Sequence, residues 1–185
     1  MGSHSDSARE RIIDAAEHVV IEAGARHLTL EAVASKAGVS RGGLLYHFPD
    51  KEALLRGMMD RLKRRLAENR IKRRAGIPAC PEREAVVYVL SMLDEDVGIS
   101  RNVSAALIAS GAHDPELLAP AREDYYQAIA DLTRDGLSFE RAAVIILATS
   151  GLRFFEVLST SPFTAEERRR IVRELLSLAK ENAKE

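Results

Sequence analysis

Residues 29–55, TLEAVASKAGVSRGGLLYHFPDKEALL, decide the fold. They read as two short helices joined by a tight turn, with a further helix beginning at Lys51. Ala34 is small at the point where two helices must cross closely. Gly38, four residues on, can adopt the left-handed backbone that stops a helix and reverses the chain. Val39 is the apolar residue inside the turn, and Ser40 caps the next helix by accepting from a free backbone N–H. Leu44 falls where that helix must pack back on its predecessor. This is the layout of a helix-turn-helix, whose second helix lies in the DNA major groove.

The segment AVASKAGVSRGGLLYHFPDKEALL resembles the DNA-binding signature of the TetR family of transcriptional regulators. In that family the recognition helix ends in an aromatic/His-Phe run and a Lys follows near the start of the next helix. Tyr46, His47, Phe48 and Lys51 stand at those places. The likeness covers roughly residues 8–60. The resemblance implies an all-α chain of about nine helices: a three-helix DNA-binding head, then a helical body for effector binding and dimerisation. It also implies that Tyr46 and His47 contact phosphate.

The chemistry of the remaining head residues narrows the DNA contacts. Arg41 is the long donor at the entering end of the recognition helix. It can give two hydrogen bonds to guanine O6 and N7, or one of the phosphate contacts more common for Arg. Gly42 and Gly43 are poor helix formers that would let the backbone approach DNA closely, or simply make a loose first turn. Many family members carry Tyr where this chain has Leu45, so that contact either passes to Tyr46 or becomes an apolar touch on a thymine methyl. Lys51, behind the cap residue Asp50, approaches the backbone from the next helix. With the caps Thr29 and Ser40, the DNA-contacting set is Thr29, Ser40, Arg41, Gly42, Gly43, Leu45, Tyr46, His47 and Lys51. So few base-reading side chains leave more of the specificity to DNA shape.

Charge is divided in the same sense. Residues 1–75 hold 15 Lys+Arg against 10 Asp+Glu, and the rest hold 12 against 18, for a net charge of −1. A basic N-terminal part on a nearly neutral chain suits a DNA-reading head on a body that does not bind DNA, although a solvated helical surface would look similar. The 46% apolar content supports a substantial core. The longest apolar run, Ala142–Ala148, is too short to span a membrane. MGSHS reads as a cloning remnant, and the polar N-terminus shows no secretory signal. The lone Cys80 forms no internal disulfide and suits a reducing cytoplasm. The five histidines show no metal-ligand spacing, so neither a metal nor a cofactor is expected.

In chain order, Ser7 and Glu10 form a capping box for a first helix over 8–23, closed by Gly24. Thr29 caps the second helix, Leu30–Ala37, and the recognition helix covers Arg41–His47. The linking helix follows over 51–73 with a basic end, and Ala75-Gly76-Ile77-Pro78 marks the boundary between head (8–50) and body (77–185). The body reads as helices over Pro81–Asp96, Arg101–Ser110, Pro115–Asp135 with a kink or late start at Pro120, 139–159 and Ala165–Asn182. Thr164 and Glu167 form a capping box for the last.

The helix over 139–159 is apolar nearly all round, so it must be covered on all sides. In the family the dimer is a four-helix bundle built from the last two helices of each subunit. The interface expected here is Ala143, Ile146, Leu147, Ser150, Gly151, Phe154, Ile171, Leu175 and Leu178. A two-fold dimer matches a palindromic double-stranded operator. The resemblance further implies a pocket for a small-molecule effector, unidentified, with Met92, Asn102, Tyr125, Tyr126, Arg153, Phe154 and Phe155 as candidates. Arg153, inside an apolar helix, pairs with Glu156 or Asp124, or meets an anionic effector.

The reading that results is a homodimeric, cytoplasmic transcriptional regulator, a repressor released by an effector. One alternative is a DNA-binding dimer without an effector, governed by abundance or a protein partner. An enzyme would need a nucleophile, a base and an orienting group, and His113-Asp114 with Cys80 has no motif to support it.

Overall fold

The computed structural model describes residues 3–94 and 101–180, and all the regular structure among them is helical. Packing divides it into two compact units: Met1–Lys63 with Ile99–Leu118, and Arg64–Gly98 with Ala119–Glu185.

The first unit is built on α1 (Ser3–Ala23). The helix begins before Ser7, so the capping box expected at Ser7 and Glu10 is not its start. Ile12, Ile13, Ala16, Val19 and Val20 form its buried face, and Gly24 ends it with a positive φ of 87°. A single 3-10 turn, Ala25–His27, not foreseen in the sequence, leads to α2 (Leu30–Ala37) and α3 (Arg41–His47). Val33, Ala34, Leu44 and Phe48 close the core of this motif. The helix α4 (Lys51–Ala75) adds Leu54, Leu55, Met58 and Met59. Asp50 caps it by accepting from Ala53 N at 2.7 Å, and the helix stops at Gly76, where the sequence breaks.

The sequence reading placed everything after residue 77 in one body. In the structure, α6 (Arg101–Gly111) and the 3-10 turn Pro115–Leu118 pack with the first unit instead. Val103, Ala106, Leu107 and Leu117 join its core. One long helix, two short ones and half of α4 make a small unit, and α6 supplies further apolar cover. Gly111 lets the 3-10 turn fold back on the end of α6, because a Cβ there would overlap the Leu118 side chain.

The second unit comprises the end of α4 with α5 (Arg83–Met92), α7 (Ala119–Arg134), α8 (Phe139–Val157) and α9 (Ala165–Lys180). Its core gathers Tyr88, Val89, Leu132, Ala142, Ile145, Leu152, Leu175 and Ala179. The expected ends at Asp96 and Asn182 lie outside the described residues. Pro120 falls in the first turn of α7, where a missing N–H costs nothing, so the late start is realised and the kink is not. Ser138 caps α8, and the Thr164–Glu167 capping box forms in full: each backbone N–H donates to the other's side chain, at 2.8 and 3.2 Å. Within this unit Asn69 Nδ2 donates to Ser91 O at 3.0 Å, and Arg73 Nε donates to Asp94 at 2.9 Å, fixing the end of α4 on α5.

Candidate nucleic-acid interface and effector region

The geometry of the helix-turn-helix follows from its turn residues. Thr29 accepts from Ala32 N at 3.1 Å and Ser40 from Gly43 N at 3.0 Å, so both helices start from a capped end. Gly38 sits at φ 65°, ψ 35°, the left-handed region that a Cβ disfavours. Below, Leu44 and Phe48 are buried and fix the roll of α3. The Phe48 ring is covered by the Arg9 guanidinium, 5.2 Å from its centroid. That roll sends Tyr46 outward at 81% exposure, in edge contact with the half-buried His47 ring at 5.0 Å.

Thr29, Ser40, Arg41, Gly42, Gly43, Tyr46 and Lys51 are exposed, with His47 half-buried among them. Leu45 is half-buried too, so less of it is offered than the sequence implied. Arg41 is in a loose ion pair with Glu31 at 3.5 Å, a partner the sequence reading missed. Such an exposed pair is weak and exchanges readily for another anion. A Cβ on Gly42 would come no nearer than 4.0 Å to another group, the Ser40 hydroxyl. Packing within the chain therefore does not require glycine at that position.

The expected effector residues scatter. Tyr125, Tyr126, Phe154 and Phe155 are exposed, because α7 turns Ala128 and Leu132 inward and α8 turns Ala142, Ile145, Thr149 and Leu152 inward. Asn102 lies exposed on α6 in the first unit. Met92 and Arg153 do meet: Arg153 Nη1 donates to the Met92 carbonyl at 3.1 Å. Neither carboxylate suggested for Arg153 pairs with it, since the Glu156 carboxylate is bonded by Arg168 and acts on Arg153 only through its field. Burial pulls the Arg153 pKa below its ordinary value, with Glu156 and Tyr125 opposing.

Tyr88, on α5 opposite, escaped the sequence reading because AVVYVLSM reads as plain core. Burial pushes its phenol pKa up, with Tyr125 adding to the rise and Ser150 and Arg70 opposing it. Tyr88 Oη, Thr149 Oγ1 and Ser150 Oγ are buried without a well-formed hydrogen bond among the described residues.

The interface residues also divide. Ile146 and Leu175 are buried in the chain's own core, at 5% and 3% exposure, so they have no surface for a partner. Leu147 is 72% exposed and stands with Val144, Phe154 and Leu158 in an apolar stripe, which passes over Gly151. Val144 and Leu158 were missed, although their i, i+3 and i+7 spacing from Leu147 and Gly151 was present in the sequence. Ala143, Ser150, Ile171 and Leu178 are half-buried. Ile171 also lines an open groove of about 450 Å³ with Phe163, Glu167, Arg170 and Glu174. Among the described residues, no three His, Cys, Asp or Glu side chains are placed to hold a metal ion, and no helix is long and apolar enough to cross a membrane.

A capped helix pair that presents a short polar helix, followed by a separate helical unit, defines a helix-turn-helix transcriptional regulator. Residues 12–58 match the family described as "Bacterial regulatory proteins, tetR family", and residues 82–180 match "Tetracyclin repressor-like, C-terminal domain". The chain belongs to the TetR family, whose members bind DNA and regulate transcription and are not enzymes. The HTH-type transcriptional regulator BetI of Stenotrophomonas maltophilia is 31% identical over 111 residues, 59% of this chain and 57% of that protein. The chain thus spans about half the length of that curated relative. Among solved structures, a TetR transcription regulator from Haloarcula marismortui superposes with a TM-score of 0.76 at 16% identity, covering 94% of this chain and 97% of that one. The multidrug binding protein EbrR, complexed with imidazole, superposes with a TM-score of 0.66 at 22% identity, covering 90% and 93%. These two likenesses establish the fold alone.

Proposed function

We propose that the protein is a homodimeric repressor that holds a palindromic operator and releases it when a small molecule binds the second unit. The observation that carries the DNA-contact assignment is the division of α3. Leu44 and Phe48 anchor it, while Arg41, Gly42 and Tyr46 face solvent on a helix too short to persist without packing. Arg41 reads a base edge or a phosphate at the entering end, and Tyr46, His47 and Lys51 hold the backbone. Gly42 lets the first turn lie close to the duplex.

Dimerisation is supported by the α8 stripe, whose Val144, Leu147, Phe154 and Leu158 would otherwise expose apolar surface to water. A second copy presenting the same stripe across a two-fold axis covers it, and half-sites one helical turn apart, roughly 34 Å, then follow. Effector control is supported by the polar groups buried around Tyr88 and Arg153, and by the imidazole complex of the similarly folded EbrR. Because α4 runs unbroken from Lys51 to Ala75, a shift at its end can be carried to the recognition motif.

Selection of bound duplexes from a random library, read by sequencing, tests this function. A palindrome with half-sites about one turn apart is expected. Enrichment of no motif would contradict the reading.

A further inference from the structure

Resting on the effector reading above, the cluster where α5, α7, α8 and the end of α4 meet says what charge the effector carries. Arg153 projects from α8 beside α5, where one of its five N–H donors goes to the Met92 carbonyl. One helical turn earlier on α8, Ser150 lies close to Tyr88, which stands one turn before Met92 on α5. Tyr125 of α7 lies within electrostatic range of both Tyr88 and Arg153, and Arg70 of α4 within range of Tyr88. All belong to the second unit.

Three physical features set this cluster apart. Tyr88 is 5% exposed, and its hydroxyl, like that of Ser150, has no well-formed partner among the described residues. Arg153 is half-buried yet in no ion pair among them, and Arg70 is likewise in none. Buried hydroxyls without a well-formed hydrogen bond, and a partly desolvated cation bonded to a carbonyl while Glu156 acts on it only through its field, are both costly to keep in a core. The core cluster to which Tyr88 belongs also holds the apolar Val89, Leu152 and Ala128.

We propose that this cluster is the effector site and that it takes a small organic anion, a carboxylate or comparable acid on an apolar body. The anion accepts from the free N–H groups of Arg153 and from the Tyr88 hydroxyl, and Arg70 supplies the second positive charge. The apolar body lies against the core. Because Arg70 is on α4, neutralising it against the anion draws on the helix that leads to the recognition motif.

The test uses the full chain with benzoate and decanoate as anionic probes, and benzamide, decanamide and decylamine as neutral and cationic counterparts. Binding is read by calorimetry and by the shift in melting temperature. At least one carboxylate should bind ten-fold or more tightly than its amide, with Arg153→Gln and Arg70→Gln each weakening it ten-fold and Tyr88→Phe about three-fold. Arg153→Gln should melt no lower than the parent, which a structural arginine would not allow. Carboxylates that bind both arginine variants as they bind the parent would overturn the site. Amides or decylamine that bind as well as the acids and release DNA would overturn the anionic class while leaving effector control standing. If no probe of any charge binds, the proposal fails, and if none releases DNA either, effector control fails with it.

Discussion

The guanidinium of Arg61, on α4, donates to Glu10 Oε2 of α1 at 2.6 Å from a side chain only 5% exposed. It also bonds Asp14 and the Glu10 carbonyl, with Glu17 at 3.6 Å. Burial alone would lower its pKa, but the hydrogen bonds it donates to the Glu10 and Asp14 carboxylates outweigh that and raise it, so it stays charged. This one side chain therefore fixes where the first half of α4 lies on α1. Arg61→Ala leaves three carboxylates facing one another and removes the strap. Because the carboxylates are partly solvated, the cost is about 2 kcal/mol, not the full penalty of a broken buried pair. Denaturant unfolding of the variant measures it.

Gly57 is demanded by a neighbour. A Cβ there would stand 2.7 Å from Phe48 Cε1, and the ring is already held under Arg9. Gly57→Ala should destabilise by roughly 1–3 kcal/mol despite alanine's better helix propensity. It should also weaken DNA binding, because Phe48 sets the roll of α3. Thermal melting and operator binding, measured together, check this.

The capping box at the start of α9 makes stability depend on pH. The backbone and side chain of Thr164 hold the Glu167 carboxyl below its ordinary value of 4.5. A carboxylate with a lowered folded-state pKa contributes stability above the unfolded value and loses it as pH falls through the folded one. The stability difference between the parent and Glu167→Ala should be constant near neutrality, begin to shrink below about pH 4.5, and disappear at more acid pH. A difference that does not change with pH would contradict the assignment.

Neighbouring residues of α8 should behave in opposite ways. Leu147 is exposed and Ile146 is core. Leu147→Glu should leave the helix content intact and shift the protein from dimer to monomer in sedimentation. Ile146→Ala should instead destabilise by about 2–4 kcal/mol through the cavity it leaves.

The motif was legible because its signals are local. Thr29, Gly38, Ser40 and Asp50 each act within four residues, and the ends of α2 and α3 fall where they were read. What the sequence did not disclose depends on distant packing. Nothing in the α6 sequence says that its apolar face packs with the first unit. The start of α1 ahead of Ser7 was hidden because a capping pattern is also compatible with a helix interior. On α8, an all-round apolar sequence does not show which stripe faces inward, so Ile146 was read with Leu147. Tyr88 looked like ordinary core because its unmet hydroxyl is a matter of neighbours from α7 and α8.

Helix α3 is expected to read DNA through exposed groups that the fold itself does not need. Operator binding by the parent, Arg41→Ala, Tyr46→Ala and Gly42→Ala across a salt series, with melting curves for each, tests it most directly. All four proteins should melt alike or, for Gly42→Ala, up to about 1 kcal/mol more stably. Each variant should bind the operator at least ten-fold more weakly, and loss of a phosphate contact at Tyr46 or Arg41 should show as loss across sequences. Three variants that fold like the parent and also bind like it would contradict this role for α3.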